Sequence, residues 1–345
     1  MHGGPGASIP RIFCSKRLMS EGKDQVALEL DDELADRRRE ALAYAFGEIV
    51  MDALADPDVV EVMLNDDGTL WIEARGEMTH VGYINASDAL AILSQVSSAL
   101  NGELSKQNPF VEGELVLFNG ERFEGVAPPV VERAVFAIRK KATKVYQLAD
   151  YIRSGVMTFT QAELIREALM ARKNVLVIGG TGSGKTTFCN AMLAELAELV
   201  PDVRMLLLED TKELQCTLKN RLFLRTSPWT SMADISLAVN RLRPDSITVG
   251  EVRAGAAALA LLKLWNTGHP GGMGTAHANS AYEGLTRMDQ LIQEVSAYPQ
   301  RVLIGEAVNV VVFLQKEKGK RKVKEIVRVM GYDEVSQRFK VENIQ

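Results

Sequence analysis

Cysteine and histidine are scarce in this chain of 345 residues, with three of the first and four of the second. Cys14, Cys189 and Cys216 are odd in number and lack metal-ligand spacing, so neither a disulfide framework nor a zinc knuckle is expected. Long apolar runs are missing as well. The longest, residues 256–265, is shorter than the roughly 20 residues a membrane helix needs and contains Lys263. The opening residues lack the charged-then-apolar pattern of a secretory signal, which makes a cytoplasmic location the expectation. Nor does either sign of charge dominate: the net charge of −5 gives no general attraction for nucleic acid or anionic lipid. A basic run over residues 316–324, interrupted by Gly319 and flanked by apolar segments, reads as a solvated hairpin turn.

What is present is the composition of an ordinary folded protein, 46% hydrophobic and 25% charged, in a chain longer than one core usually serves. Two domains are therefore expected. Residues 1–30 show no sustained periodicity and read as a mobile arm. Residues 31–140 read as a smaller α+β domain: a helix over 31–55, a hairpin from 59–64 and 69–74, a helix over 86–100, a second hairpin from 115–118 and 122–126, and a strand over 134–138. A linker is placed over 141–160. From 161 to 345, apolar strands alternate with helical stretches, the pattern of a mostly parallel sheet covered on both faces. In such α/β sheets, ligands sit at the carboxyl ends of the strands.

One strand end is unusually explicit. After the apolar run 174–178 come Gly179-Gly180-Thr181-Gly182-Ser183-Gly184-Lys185-Thr186, which complete G-x-x-x-x-G-K-[ST], and then an amphipathic helix. Glycines let such a loop wrap its N–H groups around a phosphate, and the start of the following helix adds attraction for the anion. Lys185 is placed to reach the β and γ phosphates, and the Thr186 hydroxyl to bind Mg²⁺. Two further strands end in acids, Glu209-Asp210 and Glu251, the latter preceded by Gly250 where a Walker-B strand usually has Asp. Arg241, Arg243 and Arg253 flank the second of these strands, open to either a phosphate-facing or a purely structural role. The glycine-rich stretch 267–280, with His269 and His277, reads as a mobile loop that approaches the ligand, His277 being the γ-phosphate sensor candidate. Cys189 is expected to be packed and inert, and residues 228–239, with Trp229 and Met232, to serve packing.

Together these motifs resemble one family, the secretion ATPases of type IV secretion and conjugation machines, most closely the TrbB-type conjugal transfer ATPases. The resemblance rests on residues 179–187, on 208–213 as the family's Asp box, on 243–253 as its Walker B and on 267–280 as its His box. Residues 59–65 and 122–129 extend it into the first domain. It implies an α/β fold: a RecA-like P-loop domain with a parallel sheet, a smaller PAS-like N-terminal α+β domain, nucleotide held between them, and a homohexameric ring. ATP and Mg²⁺ are the implied cofactors, cradled by residues 179–186 with Thr187. Glu209 corresponds to the water-orienting acid and is the favoured base, Glu251 to the acid acting on Mg²⁺, and His277 to the His-box sensor. Arg122 and Arg139 correspond to first-domain arginines that approach the phosphates. The related type II secretion ATPases usually carry a four-cysteine zinc module, which three scattered cysteines cannot make.

The implied function is an ATP-hydrolysing motor energising pilus assembly or substrate transfer, partnered by inner-membrane secretion components and peripheral at the cytoplasmic face. Direct contact with nucleic acid is left open. A pilus extension or retraction ATPase, a P-loop small-molecule kinase and a nucleotide-switched scaffold are the alternatives. No Leu-Ser-Gly-Gly-Gln signature of an ABC-transporter subunit occurs.

Overall fold

The chain divides between Lys141 and Ala142 into two units, each built on a sheet of its own. The computed structural model describes residues 16–345 except 75, 142–144, 228, 318 and 345, and for residues 16–32 it describes backbone only. Of the arm expected over 1–30, residues 1–15, including Cys14, lie outside the described residues. The backbone from Lys16 onward belongs to the first helix.

The first unit contains α1 (Lys16–Ala55), β1 (Val59–Leu64), β2 (Thr69–Ala74), β3 (Glu77–Tyr83), α2 (Ala86–Ala99), β4 (Phe110–Leu115), β5 (Glu121–Val126) and β6 (Val135–Arg139). Its strands form an antiparallel sheet in the order β3-β2-β1-β6-β5-β4. Leu42, Phe46, Val50 and Leu54 recur at helical spacing on α1, and this stripe meets Ile92, Leu93 and Val96 of α2 over Val62, Phe123, Phe136 and Ile138 of the sheet. The expected first hairpin is present, turning through Asn65 and Gly68. The second is shifted: its first strand ends at Leu115, and residues 116–118, expected in the strand, join Asn119 in the turn. Backbone bonds within the turn, from Phe118 and from Gly120 to the Leu115 carbonyl, close it early. β3 was not expected, because as an edge strand with a mostly exposed surface it has no buried face to set a period.

The second unit contains α3 (Leu148–Arg153), α4 (Phe159–Met170), β7 (Val175–Gly179), α5 (Lys185–Leu199), β8 (Met205–Glu209), β9 (Arg221–Arg225), α6 (Met232–Val239), β10 (Ser246–Val249), α7 (Gly255–Trp265), β11 (Met273–Ala276), α8 (Ala281–Gln293), α9 (Arg301–Ala307), β12 (Val310–Glu317), β13 (Lys320–Asp333) and β14 (Arg338–Asn343). The sheet order is β14-β13-β12-β7-β11-β10-β8-β9. Strands β12 through β9 in that order are parallel, while β13 and β14 add an antiparallel edge to the expected parallel sheet.

Alternation along the strands explains the three layers. Leu176, Ile178, Leu206, Leu208, Ile247 and Val249 face one core, with side chains of α6, α7, α8 and α9. Val175, Val177, Met205 and Leu207 face the other, with α3, α4 and α5. The stretch expected as a linker is partly built into this second core, because Leu148 and Met157 are buried in it. Among the described residues no helix is long and apolar enough to cross a membrane.

The glycine-rich stretch 267–280 also differs from expectation. Its middle, Met273–Ala276, is the central strand β11, paired with β7 and β10. The glycine at 272 is there for packing rather than motion: a Cβ would stand 2.2 Å from the Ile247 carbonyl oxygen and 2.2 Å from Trp265 Nε1. Those two atoms are themselves hydrogen-bonded, Trp265 Nε1 donating to Ile247 O at 3.0 Å. Gly272→Ala is accordingly expected to destabilise the second unit by about 2–4 kcal/mol, from overpacking plus the lost hydrogen bond. A thermal unfolding midpoint equal to that of the unaltered chain would refute this packing role.

Candidate active site

β7 lies between β12 and β11, and the chain leaves the sheet after Gly179. Gly179 is sterically compelled: a Cβ would fall 2.4 Å from the Leu314 carbonyl oxygen and 2.5 Å from Ser183 Oγ. Gly182 (φ 69°) and Gly184 (φ 90°) take left-handed conformations that let the loop double back, and the Ser183 N–H closes on the Gly180 carbonyl at 3.3 Å. Ser183 Oγ is buried and has no hydrogen-bond partner among the described residues. Gly184 is the N-cap of α5 and brings no side chain to occupy the first N–H groups of that helix. An orphaned hydroxyl, an uncapped helix start and a loop of this shape are together the features of an anion cradle.

Lys185, the first residue of α5, is 8% exposed. Its Nζ donates to the Gly180 carbonyl at 3.1 Å and lies 3.3 Å from His277 Nδ1. Thr186 and Thr187 follow in the first turn, both half-buried. His277 stands immediately after β11, the strand beside β7. Its Nε2 is 2.7 Å from Glu251 Oε1, and Glu251 Oε2 in turn is 2.5 Å from an Arg253 Nη atom. An ammonium can only donate, so the contacts fit an imidazole that accepts at Nδ1 and carries its proton on Nε2. Lys185, His277, Glu251 and Arg253 thus form one unbroken chain of polar contacts. Burial works to raise the Glu251 carboxyl, but the hydrogen bond and charge of Arg253, with His277 and Lys185, outweigh it and hold the group below the ordinary glutamate value.

Glu209 ends β8, one strand further from the loop, and is 2% exposed. Its Oε2 accepts from the backbone N–H groups of Glu213 (2.9 Å) and Leu214 (2.8 Å), while Oε1 is 3.6 Å from Arg225 Nε. A Cβ on Gly250 would stand 3.3 Å from Glu209 Cβ, so the larger residue of a usual Walker-B strand would crowd this acid. Glu209, Asp210, Gly250, Glu251 and Arg253 line a common crevice.

The remaining expectations sort by position. Arg253 joins the site, whereas Arg241 and Arg243 precede β10 and belong to the opposite end of that strand. Arg122 and Arg139, in the first unit, are direct cross-strand partners on β5 and β6. They sit in a row of charged residues that runs Glu73, Glu61, Arg139, Arg122, Glu114 across five strands. Cys189 is fully buried, and burial pushes its thiol up to about 12, in keeping with an inert packed side chain. Met232 is buried, but Trp229, expected to pack, is 92% exposed. The basic run over 316–324 forms the β12–β13 hairpin as expected, yet it is more than a solvated turn: Arg321 Nε donates to the Gly182 carbonyl at 3.2 Å. The sequence signal for that contact was a cluster of charge beside a strand neighbouring β7, which spacing alone does not connect to the loop.

The lowered Glu251 carboxyl has a pH signature. A group depressed in the folded chain adds stability that is complete above its ordinary value of 4.5 and is lost as pH falls through the lowered value. Glu251→Gln is therefore expected to show a stability deficit at neutral pH that narrows below pH 4.5, read from unfolding midpoints of both chains across a pH series. A deficit independent of pH would remove the assigned electrostatic cause.

The model of the type II/IV secretion system protein family matches residues 122–333. A probable conjugal transfer protein TrbB of Sinorhizobium fredii is 44% identical over 305 residues, covering 88% of this chain and 93% of the relative. A conjugal transfer protein TrbB of Rhizobium radiobacter is 44% identical over 292 residues, covering 84% and 90%. Among solved structures, the pilus retraction motor PilT with bound ADP aligns at a TM-score of 0.57 and 18% identity, covering 80% of each chain, a likeness that speaks for the fold. With a family match over more than half of its length and relatives this similar over most of it, the chain belongs to the type II/IV secretion system protein family.

Proposed function

We propose that this protein is the ATP-hydrolysing motor of a conjugative type IV secretion apparatus. The observation that carries the reading is the contact chain from Lys185 through His277 to Glu251 and Arg253, which joins the phosphate loop to an acid two strands away. ATP binds with its phosphates in the loop, where Lys185 exchanges the Gly180 carbonyl and His277 Nδ1 for phosphate oxygens. His277 loses an ammonium at Nδ1 on that exchange while keeping Glu251 at Nε2, so the occupancy of the loop is passed to the acid. Hard oxygen donors suit Mg²⁺, and the Thr186 hydroxyl would hold it, leaving the Glu251 carboxylate to the water. When bound, the ion would neutralise charge on the β and γ oxygens.

Hydrolysis needs a group that orders water at the γ-phosphate and takes its proton. At about 4.8 Å per strand, β8 lies roughly 14 Å from β7 and β10 roughly 10 Å. Glu251, nearer and in contact with the His277 imidazole, is the acid we assign to the water. Glu209, with its oxygens turned to the backbone of the 210–214 loop and to Arg225, orders that loop behind it. The likeness to TrbB proteins over most of the chain favours conjugal transfer over pilus retraction, which shares the fold. The same reading carries assembly into a ring of six copies at the cytoplasmic face of the membrane, together with secretion components embedded there. A native mass of six chains in Mg²⁺ with a non-hydrolysable ATP analogue would support it, and a persistent monomer would count against it.

Lys185→Ala is expected to abolish both nucleotide binding and turnover. Glu251→Gln should keep nucleotide affinity and lose hydrolysis by about 100-fold or more, while Glu209→Gln should lose less. Phosphate release and labelled-ADP binding, measured side by side, check the set. Normal hydrolysis by Glu251→Gln together with a dead Glu209→Gln would transfer the role to Glu209.

A further inference from the structure

Strand β12 runs past the end of its neighbour β7. Leu314 pairs with Gly179, the last residue of β7, yet β12 continues to Glu317. β13 returns along it with Arg321 directly opposite Lys316. This two-stranded overhang comes alongside the phosphate loop. Arg321 Nε donates to the Gly182 carbonyl at 3.2 Å, and a Cβ on Gly184 would stand 3.2 Å from Arg321 Cδ. Lys316 Nζ is 4.0 Å from where a Cβ of Gly182 would be. Both glycines are the left-handed residues that give the loop its shape. The Arg321 Nη atoms make no hydrogen bond or ion pair among the described residues, so no carboxylate competes for the side chain.

In a loop whose N–H groups converge on an anion, the intervening carbonyls point outward. A guanidinium bonded to one of them acts from behind the cradle. It pins the Gly182–Ser183 peptide, whose N–H closes back on the Gly180 carbonyl at 3.3 Å, and so fixes the turn that shapes the loop, and it adds a permanent positive charge close to the phosphates. We propose that Arg321 is a positioning residue for nucleotide binding, bracing the phosphate loop through Gly182 and coupling it to the β12–β13 hairpin. This inference rests on reading the loop as an ATP site.

The test is equilibrium binding of a fluorescent ADP analogue to the full chain, with steady-state ATP hydrolysis, for the unaltered protein, Arg321→Ala, Arg321→Lys, Lys322→Ala and Lys185→Ala. Lys322 is an exposed base on the same hairpin without a contact to the loop, so it controls for net charge. Arg321→Ala should weaken ADP binding and raise KM for ATP about tenfold, as expected for a lost charge-assisted hydrogen bond, with kcat within about twofold. Arg321→Lys should recover most of the loss, and Lys322→Ala should bind within about twofold of the unaltered chain. Equal losses in Arg321→Ala and Lys322→Ala would overturn the proposal in favour of charge alone. So would an Arg321→Ala chain that binds normally or loses only kcat. If Lys185→Ala abolishes binding while Arg321→Ala does not, the ATP site stands and the brace falls. If the unaltered chain binds no ADP, both fall.

Discussion

A buried ammonium is the constraint on which the site depends. Lys185 sits almost wholly within the protein, and a charge so placed needs polar partners. The Gly180 carbonyl and His277 Nδ1 supply them. Each consequence follows from the last. With Nδ1 accepting, the imidazole proton lies on Nε2, and that proton needs an acceptor, which Glu251 provides. Glu251, itself partly buried, stays ionised because Arg253 holds its other oxygen. Four side chains drawn from a helix start and two strand ends thus share one electrostatic solution, in which no member can be changed without altering the next.

The backbone is shaped to the same end. Gly179 and Gly272 both stand where a Cβ would strike a neighbouring carbonyl, one on β12 and the other on β10. These close approaches let β7 and β11 lie deep in the sheet, each buried on both faces between two helical layers. The strand ends are therefore held by packing, and their side chains are aimed by a rigid frame instead of by a loop. Gly250 does the same for the acids, its missing Cβ leaving room for Glu209 on the adjoining strand.

Much of this was legible in the sequence, and the omissions have physical causes. The phosphate loop was plain because a left-handed turn demands glycine and the strand before it is a continuous apolar run. The acids at 209 and 251 were legible as strand ends. β11 was not, since a four-residue strand buried on both faces has no alternation and its neighbouring glycines imitate a loop. α3 was missed because six residues give too little periodicity to separate a helix from a linker. The partners of Glu209 were equally hidden: its backbone contacts depend on how residues 210–214 fold back, which no spacing rule records. Arg321 was read as part of a wet turn, because its contact arises from the register between β12 and β7, a relation between segments more than one hundred residues apart.

Taken in sheet order, the carboxyl edge of the second unit places bases on one side and arginine-paired acids on the other. The β13–β12 hairpin brings Arg321 and Lys316, β7 leads to Lys185, β11 to His277, β10 to Glu251 and β8 to Glu209. The sequence order of these residues is different, and only the crossovers of a doubly wound sheet bring them into this row. Glu251, held below the ordinary glutamate value, can accept a proton, while the bases have nothing to accept with. Histidine stands at the boundary because it alone in the row can accept on one nitrogen and donate on the other. The imidazole is thus the link between the ammonium at the start of α5 and the carboxylate that follows β10.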